Sequence, residues 1–450
     1  MRVLLSGGGT GGHIYPMLSV VSALRSQILP RRAEGLRSSA EPDSLPASVE
    51  FSGQEEDHLQ RELDQRNPAR RPANDRPNAQ QRSKLATAPE NDSAVVLCDV
   101  VAYVGQAGNI EEELARRAGI PFRSIESGQI RGRAPWEIVR SIGRMVRGAR
   151  QAAAAIQEFK PDVALVTGGY VAAPVAWASW RSRPRVPLLI FLPDLTPGQA
   201  IKLTSRLAAK VAVSFPEVSH YFPGKAVVTG YPVRAELLAA DRAVARKAFG
   251  LQDELPTLLV FGGSHGSKSI NRALVSALPE LLDQCQVIHI SGQADWPWIA
   301  DHFARGHGLT MMQHRERYHP FPYLNEEMVQ ALAAAELVVA RAGASVLGEF
   351  PAVGLPSILV PYPHAGKHQE ANAAYLAQRG AALMIMDEEL PARLASTVLD
   401  LLSSPYRLAS MSRAAVDLAR PDATGNIVRE LRRLANREVL PGDIGKEHQW

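Results

Sequence analysis

Cysteine is scarce in this chain of 450 residues, which holds only Cys98 and Cys285. Two thiols so far apart give no disulfide framework and no Cys/His ladder for a metal ion, a usage that fits a reducing cytoplasm. Net charge is nearly absent too: 50 Lys and Arg stand against 46 Asp and Glu, leaving +4. So slight a balance does not argue for a nucleic-acid partner. No run approaches the roughly 20 consecutive apolar residues of a membrane-crossing helix. The opening Met1-Arg2-Val3-Leu4-Leu5-Ser6 runs straight into glycines. It lacks the apolar stretch and cleavage site of a signal peptide and reads as a buried strand.

What is present is a 46% hydrophobic composition in a chain too long for one ordinary core. Two domains are expected. Short apolar runs occur at Val3–Ser6, Ala94–Leu97, Val100–Val104, Val163–Val166, Val186–Phe191, Val211–Ser214 and Val227–Val228. They continue at Thr257–Phe261, Val287–Ile290, Leu337–Ala340 and Ser357–Val360. Most are apolar throughout, as expected of parallel strands buried on both faces, and helical stretches lie between them. The strand–glycine–helix pattern of the N-terminus restarts near Leu258, which places a domain boundary near Arg234–Glu236. Residues from about 29 to 92, including Arg66-Asn67-Pro68-Ala69-Arg70-Arg71-Pro72, are polar and rich in Pro. They cannot bury enough apolar surface to offset their ordering entropy, and they read as a disordered insertion.

Chemistry-bearing residues gather in the loops after the apolar runs. The first is Gly7-Gly8-Gly9-Thr10-Gly11-Gly12-His13. Glycines let backbone N–H groups approach an anion, and a helix N-terminus adds positive potential. The loop lacks the Lys-Ser/Thr ending of a P-loop and the acidic residue that dinucleotide binding expects about 20 positions on. His13 is placed either to take a proton from an attacking hydroxyl or to cap the helix. Thr167-Gly168-Gly169-Tyr170 follows one strand, and Gly262-Gly263-Ser264-His265-Gly266-Ser267 follows another. Each alone is a tight turn. Ser264 adds a hydroxyl donor suited to a phosphate oxygen. Arg234 closes Gly230-Tyr231-Pro232-Val233-Arg234 at the domain boundary, positioned either for a phosphate or for an interdomain salt bridge.

A fourth constellation is Arg341-Ala342-Gly343-Ala344-Ser345-Val346-Leu347-Gly348-Glu349, with a helix expected from about Ser345. Glu349 is expected one turn in, where its carboxylate could accept from two ribose hydroxyls. Downstream, His364, His368, Gln369 and Asn372 are polar side chains better suited to sugar hydroxyls than to a core.

Together these motifs resemble the MurG family, the UDP-N-acetylglucosamine transferases that complete peptidoglycan lipid II. The matching segments are GGGTGGHIYP at 7–16, TGGYVAAPV at 167–175, VAVSFPEVSHYFP at 211–223 and VVTGYPVR at 227–234. FGGSHGSKSIN at 261–271, RAGASVLGE at 341–349 and GLPSILVPYPHAGKHQEANA at 354–373 complete the series. The resemblance implies an α/β GT-B fold of two Rossmann-like domains facing a cleft, the first over 1–234 and the second over 235–450 with a terminal helix. It also implies inverting transfer of N-acetylglucosamine to the 4-hydroxyl of a lipid-linked muramyl sugar, without a cofactor or bound metal. Glu349 would bind ribose, and Ala344, Ser345, Val346, Leu347 and Gly348 would cradle the diphosphate. Arg234 and Ser264 would touch the nucleotide, Leu324 the uracil, and His368 and Gln369 the sugar. Thr10, Gly11 and Gly12 would serve the acceptor diphosphate or complete the donor site, and His13 would be the base.

The chain departs from the family twice. Phe191-Leu192-Pro193-Asp194 stands where the family has His-Glu-Gln-Asn, so Asp194 occupies the place of a functional Asn. The 29–92 insertion is not a family feature. The first departure keeps open a related transferase with another lipid acceptor, such as a diacylglycerol. The shared architecture keeps open a UDP-N-acetylglucosamine epimerase and a non-catalytic sugar-nucleotide-binding protein.

Arg131-Gly132-Arg133-Ala134-Pro135-Trp136 leads into a helix over Ile138–Ile156 with Arg140, Arg144 and Arg147 at helical spacing. Ile138, Ile142, Met145 and Val146 form another face. The pattern fits either an anionic membrane surface or an ordinary helix packed on a sheet. Family members work on a lipid-linked acceptor, so the resemblance implies a peripheral protein at the cytoplasmic face of the cell membrane.

Overall fold

The computed structural model describes residues 1–8, 11–26, 99–128, 135–263, 266–304, 313–363 and 368–436. The expected Ala94–Leu97 strand, the 29–92 insertion, Thr10, Ser264, His265, His364 and the Arg131–Ala134 run lie outside them.

The strands are β1 (Arg2–Ser6), β2 (Val100–Gly105), β3 (Phe122–Ser124), β4 (Val163–Val166), β5 (Leu188–Leu192), β6 (Lys210–Val213) and β7 (Ala226–Val228). After Arg234 come β8 (Thr257–Phe261), β9 (Gln286–Ile290), β10 (Tyr318–Phe321), β11 (Leu337–Arg341), β12 (Ser357–Val360) and β13 (Ala382–Met384). They form a seven-stranded sheet ordered β3-β2-β1-β4-β5-β6-β7 and a six-stranded sheet ordered β10-β9-β8-β11-β12-β13. Every recorded strand pairing is parallel. Both follow the 3-2-1-4-5-6 order of doubly wound sheets, so each has one switch point where the order reverses. These lie between β1 and β4, and between β8 and β11.

Side-chain alternation explains why the runs are apolar throughout. Val3 and Leu5 of β1 point into one core layer and Leu4 into another. In β11, Leu337 and Val339 point one way, and Val338 and Ala340 the other. Each such buried aliphatic side chain contributes about 1.5–3 kcal/mol.

The helix Ala423–Ala435, C-terminal to both sheets, packs on the first: Ile427, Val428 and Leu431 share a core with Val3, Leu5, Met17 and Val20. At its start, Gly230 has φ +88°, and a Cβ there would meet Arg420 and Ala423 at 2.6 and 2.9 Å. Asn426 Nδ2 also donates to the Thr229 carbonyl at 2.9 Å.

Candidate functional site

Four glycine-bearing loops leave the strands that flank the two switch points. Those after β1 and β4 belong to the first sheet, and those after β8 and β11 to the second. Ligands of such sheets bind outside the carboxyl ends of the strands at these points.

Packing separates the glycines by role. The first loop is held from both sides. A Cβ on Gly7 would lie 2.1 Å from Thr167 Oγ1, and one on Gly8 would lie 2.6 Å from Glu111 Oε1. Gly169, at φ +78°, presses on the Gly8 backbone, where a Cβ would come within 2.8 Å of its carbonyl oxygen. Tyr103 Oη donates to the Gly7 carbonyl at 2.6 Å. Gly7 and Gly8 are therefore required for close packing, whatever the loop also binds. Gly263 and Gly343, by contrast, have no described residue within 4 Å of a built Cβ.

The helix that follows the first loop begins at Gly11 and runs to Ser26, so His13 sits in its first turn. His13 is closely surrounded. Burial pushes its pKa below the ordinary 6.5, and the Asp194 carboxylate works against that shift. Its ring faces Gly168, whose built Cβ would lie 3.8 Å from His13 Cδ2.

Gly12 carries the first sheet's loop to the second sheet's loop. A Cβ on it would sit 3.5 Å from Ala344 Cβ and 3.7 Å from the Ser345 nitrogen. Tyr231 seals this junction. Its hydroxyl donates to the Gly12 carbonyl at 3.2 Å, and its ring fills the space that a side chain on Gly348 would need, 2.2 Å away.

The Val346–Ala352 helix starts after Ser345, as the sequence predicts, and carries Glu349 in its first turn. Ala344, Val346, Leu347 and Glu349 are buried. Glu349 Oε1 accepts from Arg234 Nη2 at 3.3 Å. Burial raises the Glu349 pKa, and Arg234 opposes the rise. The Arg234 guanidinium also lies 4.9 Å from the centre of the Tyr15 ring, and its buried Nε has no hydrogen-bond partner among the described residues. Arg234 thus makes a salt bridge and keeps one donor unspent. Burial, followed by the neighbouring Tyr323, pushes the Tyr15 pKa up to about 12. Leu324, next to Tyr323, is half-buried against the core.

The loop after β5 meets the His368–Gln378 helix. Asn372 Nδ2 donates to Asp194 Oδ1 at 3.0 Å and to the Ala342 carbonyl at 3.1 Å. Its Oδ1 accepts from the Leu195 N–H at 3.4 Å. Asn372 is fully buried, so its polar groups bridge the two sheets' loops. His368 Nδ1 and Thr196 Oγ1 share a hydrogen bond of 2.6 Å. Gln369 Oε1 accepts from the Tyr362 N–H at 2.9 Å. Arg341, quoted in the fourth constellation, is spent on structure: it bonds Asp387, Ser269 and the Val360 and Pro361 carbonyls.

Three residues at the site carried no weight in the sequence reading. Glu111 is fully buried against Gly8, and its Oε2 has no partner among the described residues. It is one of three acidic residues in the first turn of the Ile110–Arg117 helix. Tyr231 stood inside a quoted motif without a role of its own, and Thr196 lies two residues beyond the Phe191–Asp194 departure.

The basic helix forms as Pro135–Phe159. Trp136 and Val139 are 75% and 70% exposed, and Ile142 and Val146 about half. Arg140, Arg144 and Arg147 are exposed alongside them. The helix packs beside Ala172–Arg181, which adds the partly exposed Trp177 and Trp180.

Residues 98–213 match the glycosyltransferase family 28 N-terminal domain, and residues 257–427 match the family 28 C-terminal domain. The UDP-N-acetylglucosamine–N-acetylmuramyl-(pentapeptide) pyrophosphoryl-undecaprenol N-acetylglucosamine transferase of Roseiflexus sp. (strain RS-1) is 35% identical, across 94% of this chain and 92% of its own length. The chain belongs to the MurG family. Acinetobacter baumannii MurG has the same fold, with a TM-score of 0.60 at 22% identity over 96% of this chain and 99% of its own. The UDP-GlcNAc 2-epimerase from Neisseria meningitidis shares the fold with a TM-score of 0.57 at 13% identity, over 96% and 100%. At that identity the likeness extends to architecture alone.

Proposed function

We propose that this MurG-family chain transfers N-acetylglucosamine from UDP-N-acetylglucosamine to the 4-hydroxyl of the muramyl sugar of undecaprenyl-pyrophosphoryl-MurNAc-pentapeptide. The observation that carries the reading is the convergence of His13, Asp194, Arg234 and Glu349 where the two switch points meet, in a chain of this family. His13 is the general base. Its lowered pKa keeps the imidazole neutral at pH 7, ready to accept a proton. It takes the proton of the acceptor hydroxyl as that oxygen bonds to the anomeric carbon. The bond from that carbon to the diphosphate breaks on the opposite face, UDP leaves with the electron pair, and the linkage formed is β-1,4. The developing diphosphate charge is met by Arg234, by Ser264 and by the backbone from Ala344 to Gly348 at a helix N-terminus. Glu349 accepts from the ribose, Leu324 borders the uracil, and His368 and Gln369 read the sugar. Thr10, Gly11 and Gly12 close the site from the acceptor side.

We take Arg234 as the domain boundary, with the first domain holding the acceptor and the second the donor. Asp194 in place of the family's Asn is compatible with the family acceptor. Its Oδ1 accepts from Asn372, a task that an Asn side-chain carbonyl performs equally well. What changes is the charge facing His13.

The exposed Trp136, Val139, Ile142 and Val146 with Arg140, Arg144 and Arg147 support docking on an anionic membrane, where the lipid-linked acceptor resides. No helix among the described residues is long and apolar enough to cross a membrane. The protein is read as peripheral, at the cytoplasmic face.

The test follows UDP release with UDP-N-acetylglucosamine and three acceptor conditions: lipid I, diacylglycerol and none. Release only with lipid I supports the reading. Release only with diacylglycerol would move the chain to the other lipid class, and a converted sugar without release would make it an epimerase. Binding without turnover would leave a non-catalytic binding protein.

A further inference from the structure

Three successive residues of the loop after β5 grip one face of the His368–Gln378 helix. Asp194 and Leu195 bond Asn372, and Thr196 bonds His368. His368 and Asn372 are four residues apart and share that face. Asn372 is further tied to the Ala342 carbonyl at 3.1 Å, so the helix is fixed to both sheets' loops just where its first residue is to read the donor. The transfer chemistry gives Thr196 no part. Yet its hydroxyl, 2.6 Å from His368 Nδ1, is the contact that sets the imidazole's direction. An imidazole has two ring nitrogens. With Nδ1 engaged by Thr196, Nε2 is the one left to meet a ligand. A hydroxyl both donates and accepts, so Thr196 can hold the ring in either neutral tautomer.

We propose that Thr196 is a positioning residue for donor recognition: its hydroxyl, supplied by the acceptor-side domain, holds the His368 ring so that Nε2 meets a hydroxyl of the donor sugar. The inference rests on the reading of the cleft as a UDP-N-acetylglucosamine site. Sugar recognition then depends on contact between the two halves, whereas nucleotide recognition through Glu349 and Arg234 does not involve this loop. Holding the ring before the ligand arrives removes the entropic cost of ordering it on binding.

The test is calorimetric titration of the full-length protein with UDP-N-acetylglucosamine and, separately, with UDP. Wild type is compared with Thr196→Val, which keeps the branched shape without the hydroxyl, and with Thr196→Ser, which keeps the hydroxyl. Thr196→Val is expected to weaken UDP-N-acetylglucosamine about 3- to 10-fold, the cost of ordering one side chain. UDP affinity stays at the wild-type value, and Thr196→Ser restores sugar-nucleotide affinity. Unchanged UDP binding also shows that the variant is folded. Equal losses for both ligands, or no loss for either, would overturn the proposal. A wild-type protein that bound neither nucleotide would remove the reading of the cleft, and the proposal with it.

Discussion

Arg234 Nη2 stands 3.3 Å from Glu349 Oε1, with both side chains almost withdrawn from solvent. Each partner supplies the charge that makes the other's burial tolerable. The pair joins the N-cap of the Ala235–Leu238 helix to the first turn of the Val346–Ala352 helix. On the proposed function, a ribose hydroxyl at Glu349 would meet a carboxylate that Arg234 helps keep ionised against the effect of burial. Glu349→Gln preserves the shape and removes the charge. It is expected to weaken UDP binding about 10- to 100-fold, the 1.5–3 kcal/mol of a hydrogen bond to a charged group. Calorimetry with UDP measures this directly, and unchanged affinity would place the ribose elsewhere.

His13 is expected to act on rate and leave donor affinity alone. His13→Ala should lower kcat about 10²- to 10⁴-fold, the contribution of a general base, with the UDP dissociation constant near wild type. Single-turnover transfer together with UDP titration separates the two effects.

The pH profile adds a second constraint on the same residue. The base acts as the neutral imidazole, so kcat/KM rises with pH and levels off once His13 has lost its proton. Burial lowers its pKa, so the acidic limb should lie below the ordinary 6.5. Asp194 favours the protonated ring, and Asp194→Asn should move the limb further towards acid. A limb that stays in place would show that the charge at Asp194 does not act on His13.

Much of this architecture is legible in the residues, and the gaps have physical causes. The central strands were found because both of their faces are buried: β4, β8 and β12 coincide with the apolar runs Val163–Val166, Thr257–Phe261 and Ser357–Val360. Two strands that lack a continuous apolar run, β3 and β10, lie at sheet edges. There Arg123, Ser124, His319 and Pro320 are tolerated because one side has no partner strand. At the site, the glycine loops were legible as places of close approach. What each glycine approaches was not, because Thr167, Glu111 and Tyr231 come from distant sequence. The same holds for Asn372, whose fully buried amide finds partners on Asp194, Leu195 and Ala342.

Membrane docking should depend on the tryptophan and the arginines separately. Arg140→Ala with Arg144→Ala removes two exposed cations, worth about 1 kcal/mol each near an anionic surface, or about 30-fold in vesicle affinity. The loss should vanish on neutral vesicles and shrink with added salt. Trp136→Ser should weaken binding to both kinds of vesicle. Sedimentation with phosphatidylglycerol and phosphatidylcholine vesicles reads both effects.

Stability should fall on mild acidification because of a residue outside the cleft. His289 is fully buried between Tyr318 Oη at 2.7 Å and Asn271 Oδ1 at 3.0 Å. Burial lowers its pKa from 6.5 to about 3. Below 6.5 the unfolded chain binds a proton there that the folded chain refuses, so stability drops as pH falls towards 3. Between pH 7 and pH 5 this amounts to about 2 kcal/mol. His289→Gln should lose most of this pH dependence, read as the shift in urea midpoint between the two pH values.

The most direct measurement of the central claim is the product made from UDP-N-acetylglucosamine labelled in the sugar and lipid I presented in anionic vesicles. The account predicts that the label enters lipid II, joined through a β linkage at the 4-position of the muramyl sugar, with one UDP released per sugar transferred. Label recovered on another lipid, an α linkage, or a changed free sugar nucleotide without UDP release would contradict it.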